Sequence, residues 1–447
     1  MRYSIITFGC QMNKSDSERI ATILESKGYE SASKIDEADL IVVNMCSVRQ
    51  SAVDRIFGLS QKFSKLKIKN KKLKIILTGC ILKEDKKKFI KKFDLILNIK
   101  DLPNWPKYLK EKPTTLFCDR KLTCQDYLEI EPRYSNNFSA FVPISNGCDN
   151  FCAYCVVPFV RGSLVCRNHK EILREVKKVV KNGFREVWLL GQNVNNYASK
   201  DVNFAKLLKM VNEIGGNFWI RFTSPHPKDF SDELIETMAK CEKVTPYLNL
   251  PVQSGDNKIL KKMNRPYTVE QYKNLVKKIR TAFKKYRKAL EREIAISADI
   301  IVGFPGETRE QFENTVKLFR EIKFDMAYIA KYSPRPGTAA FKLKDNVLPE
   351  EKERRYKTLT EILRKTALEK NKKYIGKEVE VLIEEIKNGF LIGKTRTYKT
   401  VKIKTLNTKY KLLTTRLVGQ FVKVKILDAT PFWIKSNPGL TFRKKLV

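Results

Sequence analysis

With 447 residues, 88 Lys and Arg against 49 Asp and Glu, and a formal charge of +39, the chain can bury most of its apolar surface over two to four domains. That length excludes a small disulfide-stapled scaffold as the reason for its ten cysteines, and no apolar run nears the roughly 18 residues of a membrane span. The charge favours a polyanionic partner, nucleic acid first, through phosphate contact and counterion release, with a lysine-biased composition, as in the run Lys83 to Lys88, as the competing source.

The apolar start, Tyr3 to Phe8, is strand-length and too short for a signal peptide. A cytoplasmic location is therefore expected, where reduced thiols serve metal clusters more often than disulfides. Three apolar runs open the chain and end alike: Tyr3 to Phe8 leads to Gly9-Cys10, Asp39 to Asn44 to Met45-Cys46, and Leu73 to Thr78 to Gly79-Cys80. Helical patterns (Ser15 to Lys27, Gln50 to Lys65, Glu84 to Lys92) separate or follow them, which predicts a parallel sheet with crossover helices, completed by a fourth strand, Phe93 to Asn98. Each cysteine then sits at a strand's carboxyl end, the rim where open α/β sheets bind ligands. Three thiolates gathered there would hold a cluster and leave one iron position open; three buried core cysteines are the alternative.

This first domain is taken as residues 1–112 and a linker as 113–135, a proline-bearing stretch whose Cys118 and Cys124 match no metal spacing. From residue 136 to 368 strands and helices alternate. Strand candidates are Phe138 to Ile144, Glu186 to Leu190, Asn217 to Phe222, Pro246 to Leu250, Ala295 to Ile301 and Met326 to Tyr332, with helices such as Glu171 to Lys181 and Val269 to Phe283 between them. Six β/α units, short of the eight of a closed barrel, predict an incomplete (β/α)6 barrel with its site at the strands' carboxyl ends. Directly after the first strand come Cys148, Cys152 and Cys155, a C-x3-C-x2-C loop whose three thiolates again leave one position open on a small inorganic centre. A zinc site completed by His169 or His226 is the alternative, although the spacing of the nearer, His169, from Cys155 fits no common zinc pattern. Cys241, in a helical stretch, reads as packing.

Residues 371–437 change to short alternating strands (Glu378 to Ile383, Phe390 to Thr395, Thr400 to Thr405, Phe421 to Leu427), which predicts a small antiparallel barrel. A basic tail, 438–447, follows. From Asn371 to Val447 there are 18 Lys and Arg against 5 Asp and Glu, so this end is denser in positive charge than the chain as a whole.

The segment from Cys148 to Gly162, with Tyr154 before the last cysteine, resembles the radical S-adenosylmethionine superfamily and most closely its methylthiotransferase branch. Gly9-Cys10-Gln11-Met12-Asn13 resembles the members that modify isopentenylated adenosine in tRNA, and the C-terminal stretch resembles a TRAM RNA-binding domain. The resemblance implies two [4Fe-4S] clusters, on Cys10, Cys46 and Cys80 and on Cys148, Cys152 and Cys155, each with an open iron. It implies two molecules of S-adenosyl-L-methionine, one giving a methyl group to sulfur at the first cluster and one cleaved at the second to a 5′-deoxyadenosyl radical. Tyr154, the Gly191-Gln192-Asn193 loop, Gln253, and Asp299, Gly303 and Glu307 are implied in cofactor binding, and Arg161, Arg335, Lys394 and Arg396 in substrate binding. The implied partners are the tRNA anticodon stem-loop and a reductant such as flavodoxin or ferredoxin, with the enzyme a monomer. Threonylcarbamoyl-adenosine tRNA and a ribosomal protein stay open as substrates, and an iron–sulfur tRNA-binding protein as the non-enzymatic reading. The chain departs from the family's usual residues at Cys166, commonly Ser, and Asn249, commonly His.

Overall fold

The computed structural model describes residues 1–48, 50–110, 124–404 and 415–437. Cys118 and the tail 438–447 lie outside the described residues. The N-terminal sheet is all-parallel, with β1 (Arg2–Thr7), β2 (Glu30–Ser31), β3 (Leu40–Cys46), β4 (Lys74–Cys80) and β5 (Leu95–Ile96) in the spatial order β2-β1-β3-β4-β5. Every residue of β3 is buried because both faces are covered. Leu40 and Val42 pack with Ile20 and Leu24 of α1 (Gln11–Glu25), while Ile41, Val43 and Met45 pack with Val53, Ile56 and Phe63 of α2 (Gln50–Lys69). A strand covered on both sides reads as an unbroken apolar run rather than as alternation, which is what exposed it in the sequence.

Two local details differ from expectation. The fourth expected strand shrinks to Leu95–Ile96, and at its start the Asp94 side chain accepts the Ile75 amide at 2.7 Å. The second half of the expected linker is not a spacer: the helix Cys124–Glu129 buries Tyr127 and Leu128 in the N-terminal core.

The central unit is the expected incomplete barrel. Strands β6 (Ser139–Pro143), β7 (Glu186–Leu190) and β8 (Trp219–Phe222) pair in parallel, as do β9 (Tyr247–Asn249), β10 (Ala295–Val302) and β11 (Met326–Lys331). A parallel bridge between Ile220 and Val244 joins the two halves. Among the described residues β6 and β11 do not pair. The outer edge of β6 is covered instead by α1, where the Ser15 hydroxyl donates to the Phe141 carbonyl at 3.2 Å, so the N-terminal domain stands against the barrel.

The helix Pro349–Lys372 leads into a closed five-stranded barrel of β12 (Glu378–Lys387), β13 (Phe390–Thr395), β14 (Thr400–Lys404), β15 (Phe421–Ala429) and β16 (Ile434–Ser436). The three-residue β16, too short to register in the sequence, closes it by pairing with β14 and β15. This barrel is fastened to the central one by Arg221, which is 2% exposed. Its guanidinium bonds Glu186 at 2.5 Å and the Thr395 and Arg396 carbonyls at 2.8 and 3.0 Å, and it lies within 5.6 Å of the ring centres of Trp188, Trp219 and Tyr398.

Lys394 and Arg396, expected at the substrate, belong to this junction. Lys394 donates to Thr400 and lies over the Tyr398 ring, and Arg396 pairs with Glu291 and lies over Trp219. Arg221→Met should strand the Glu186 carboxylate in a buried site. A loss of about 3–5 kcal/mol is expected, read by denaturant unfolding together with easier proteolytic release of the C-terminal barrel. Glu384, at the same junction, is pushed up to about 7 by burial and then by the nearby Glu186 charge. Its folded pKa lies above its ordinary value of 4.5, so its contribution is full below about pH 4.5 and is lost as pH rises through about 7. Glu384→Gln should flatten the decline in stability over that window, measured by urea midpoints against pH.

Candidate functional site

At the carboxyl rim of the N-terminal sheet, Cys46 and Cys80 end neighbouring strands in direct register, and Cys10 lies within electrostatic reach of both, just before α1. Two buried asparagines hold the strand ends. Asn13 Nδ2 donates to Asn44 Oδ1 at 3.0 Å and to the Met45 carbonyl at 3.2 Å, its Oδ1 accepts the Cys10 amide, and Asn44 Nδ2 donates back to the Asn13 carbonyl. Gly79 has φ +105°, and a Cβ there would stand 2.2 Å from the Met45 carbonyl oxygen, so only glycine brings β4 this close to β3. The buried Cys80 thiol donates to Cys46, which raises Cys80 and lowers Cys46; of this pair Cys46 ionises first.

The second triplet lies on the loop after β6. Gly147 has φ +85°, and a Cβ would stand 2.0 Å from the Ser163 carbonyl oxygen. Its amide donates to Gln192 Oε1 at 2.5 Å, which ties the loop to the end of β7. Ala153 anchors the middle, donating to the Met263 carbonyl at 2.9 Å and accepting from the Ala340 amide at 2.7 Å. Cys148 is buried and Cys152 and Cys155 are half-buried. Burial pushes the Cys155 thiol up to about 12, so it becomes a thiolate only when something stabilises the anion, as a metal does.

Arg161 joins the two triplets. It ends the short helix Val157–Arg161 that follows the cysteine loop, is 4% exposed, and sends Nε to Cys80 Sγ at 3.0 Å, Nη1 to Asn146 at 2.9 Å and Nη2 to Asp16 at 2.7 Å. Arg161, expected to face substrate, has its nitrogens taken up inside the protein, because a buried guanidinium needs a carboxylate and acceptors around it. Arg335 is placed differently. It is also 4% exposed and reaches the N-terminal domain through Nη1 to Gln50 Oε1 at 2.6 Å, but its Nε and Nη2 have no hydrogen-bond partner among the described residues.

The remaining expected residues line or support the barrel rim. Tyr154 packs with Ile259, Met263, Phe304 and Tyr332. Gly191 and Gln192 follow β7, and Asn193 is buried with Nδ2 on Asp229 and Oδ1 unpartnered. Gln253 adopts φ +74°, a strained conformation for a residue with a side chain, held by its amide on the Asp299 carbonyl. Asn249 links Ser297 and Asp299, and Cys166 accepts the Ala198 amide. Glu307 is taken up within its turn, with the Gly303 amide at 2.6 Å and Arg355 at 2.7 Å on the same oxygen. One residue the sequence did not disclose is Arg265, buried, with Nη1 at 3.6 Å from Cys152 Sγ and Nη2 on the Pro251 carbonyl. A hint exists: it is an arginine after the run Lys258, Lys261, Lys262, and arginine is the cation suited to buried pairing.

Residues 142–319 match the Radical SAM superfamily, 2–98 the family described as Uncharacterized protein family UPF0004, and 372–436 the TRAM domain. The tRNA-2-methylthio-N(6)-dimethylallyladenosine synthase of Caldicellulosiruptor saccharolyticus is 42% identical, over 97% of this chain and 91% of the relative. The chain belongs to the MiaB-type family of radical S-adenosylmethionine methylthiotransferases. The synthase of the same name from Carboxydothermus hydrogenoformans is 41% identical, over 97% and 98% of the two chains. Among solved structures, the apo form of the cobalamin-dependent S-adenosylmethionine radical enzyme OxsB matches with a TM-score of 0.51 at 11% identity, over 80% of this chain and 56% of that one, a likeness of fold alone.

The enzyme's cofactors are of the [4Fe-4S] type together with S-adenosylmethionine, and the donor set fits iron–sulfur binding. All six cysteines are free thiols, and each sulfur meets a nitrogen donor: the Met12 and Asn13 amides at Cys10, the Val48 amide at Cys46, Arg161 at Cys80, the Asn150 amide at Cys148, Arg265 at Cys152 and the Val157 amide at Cys155. Such donors stabilise thiolates and tune a cluster's potential. Among the described residues no three His, Cys, Asp or Glu side chains converge on a single metal ion. A cubane takes one thiolate per iron corner and so spreads its ligands more widely than one ion does. His169 points elsewhere, its Nδ1 paired with Ser199 at 3.2 Å.

Proposed function

We propose that this enzyme attaches a methylthio group to carbon 2 of N6-isopentenyladenosine at position 37 of tRNA, in the cytoplasm, as a monomer. Cys10, Cys46 and Cys80 hold one [4Fe-4S] cluster and Cys148, Cys152 and Cys155 another. When bound, these groups supply the electron that cleaves S-adenosylmethionine and the sulfur that receives a methyl group. The observation that carries the reading is the bond from Arg161 to Cys80 across the two domains. A helix that begins two residues after Cys155 reaches a ligand of the other triplet, so sulfur transfer and radical formation can act on one base held between them.

The chain's own groups have distinct parts. Arg161 sets positive charge against the sulfurs of Cys10, Cys46 and Cys80 together, and Arg265 does so at Cys152. Gln192, through Gly147, fixes the cysteine loop to the barrel rim. Gln253, Asn193 and Asp299 line the rim where S-adenosylmethionine binds, and the unpartnered edge of Arg335 faces substrate. The basic C-terminal barrel grips the anticodon stem-loop by backbone charge. A protein such as flavodoxin or ferredoxin supplies electrons. The names of the full-length relatives support the substrate, as does Gln11-Met12 after Cys10. Nucleoside analysis of tRNA from a strain lacking this gene tests it: unmodified N6-isopentenyladenosine should accumulate. Loss of the methylthio mark from threonylcarbamoyl-adenosine or a ribosomal protein instead would replace this substrate.

A further inference from the structure

The exposed back of the Cys148–Cys155 loop combines features the reaction above does not use. Phe151, between two of the cysteines, is 62% exposed, although its carbonyl is fixed by Asn264 Nδ2 at 2.8 Å. Two short segments clamp the loop at Ala153: Met263, just after the helix Asn257–Lys262, and Ala340, within the turn Ala339–Lys342. Both segments turn the same kind of side chain outward. Lys258, Lys261 and Lys262 are exposed on the first, and Lys342 and Lys344 on or just after the second. Phe341 and Leu343 add exposed apolar surface. Of the nearby carboxylates, Asp345 is paired with Lys352 at 2.6 Å, while Asp149, which accepts the Leu164 amide at 3.0 Å, and Glu270, which accepts from Asn257 at 3.0 Å, keep their charge and are outnumbered by the five lysines.

An apolar centre ringed by one sign of charge is the pattern of a transient, electrostatically steered protein contact. We propose that this face, centred on Phe151, is the docking site of an acidic one-electron carrier protein. One electron passes there from the reduced carrier to the iron–sulfur group held at the half-exposed Cys152, with no bond made or broken. This rests on assigning the Cys148 triplet to the radical-generating cluster. The favoured occupant is a protein and not RNA because exposed Phe151 adjoins the ligand Cys152 in the chain and the surface carries bare aromatic and aliphatic side chains among its lysines.

The test is the triple variant Lys261→Glu, Lys262→Glu, Lys344→Glu, made anaerobically as full-length reconstituted enzyme and probed with flavodoxin. Binding of oxidised flavodoxin and cluster reduction by reduced flavodoxin should weaken and slow about tenfold or more, with a reduced salt dependence. Reduction by dithionite and affinity for tRNA should stay at wild-type values. Unchanged flavodoxin binding would overturn the proposal, as would tRNA affinity falling while flavodoxin binding holds. If dithionite fails to reduce wild type, the cluster assignment is at fault, and the binding titration still decides the docking face.

Discussion

Alanine at Cys10, Cys46 and Cys80 together should leave 5′-deoxyadenosine formation intact and remove methylthio product. On the proposed assignment radical generation needs only the Cys148, Cys152 and Cys155 site, whose loop is held by Gly147, Ala153 and Gln192 and takes no bond from the replaced thiols. Three small side chains at a sheet rim cost a few kcal/mol at most, and the Asn13–Asn44 lattice that holds the strand ends remains. The variant should therefore fold and still cleave S-adenosylmethionine. Liquid chromatography of both products in one assay reads the uncoupling. Methylthiolated tRNA at wild-type rates in the folded variant would return this sheet to a structural role.

A stability loss as large as that of Arg221→Met should follow Arg161→Met. Asp16 is 1% exposed and pairs with Arg161 at 2.7 Å; without the guanidinium its carboxylate is buried and uncompensated, which costs about 3–5 kcal/mol. Asp16→Asn in the same chain should recover part of that loss, because a neutral amide is less costly to bury unpaired. Arg161→Lys keeps the charge but cannot reach Cys80, Asn146 and Asp16 at once, since its donors share one nitrogen. It should fold better than the methionine variant and still bind iron weakly at the N-terminal triplet. Denaturant midpoints and iron content of the four proteins separate the charge from the fork.

The three rim cysteines were legible because each ends an apolar run, and a strand covered on both faces cannot hide its run. The C-x3-C-x2-C loop was legible from spacing alone. The pairing of Arg161 with Asp16, 145 residues away, is not legible, because no local pattern reports such a partner. The place of Lys394 and Arg396 in the junction is not legible either, because it depends on Arg221 and a cluster of aromatic rings that turn that edge toward the central barrel. Charge counts give the sign of a surface and not its direction. Arg265 is hidden for the same reason, its partners Cys152 and Pro251 being distant in the chain, and β16 because three residues carry no period.

The most direct test of the two-cluster account is iron and sulfide counting on anaerobically reconstituted protein, comparing wild type with alanine at Cys10, Cys46 and Cys80 and with alanine at Cys148, Cys152 and Cys155. Two independent [4Fe-4S] centres predict about eight irons in wild type and about four in each variant. Wild-type iron content in both variants, or about four irons in wild type with none lost on replacing the N-terminal triplet, would contradict it.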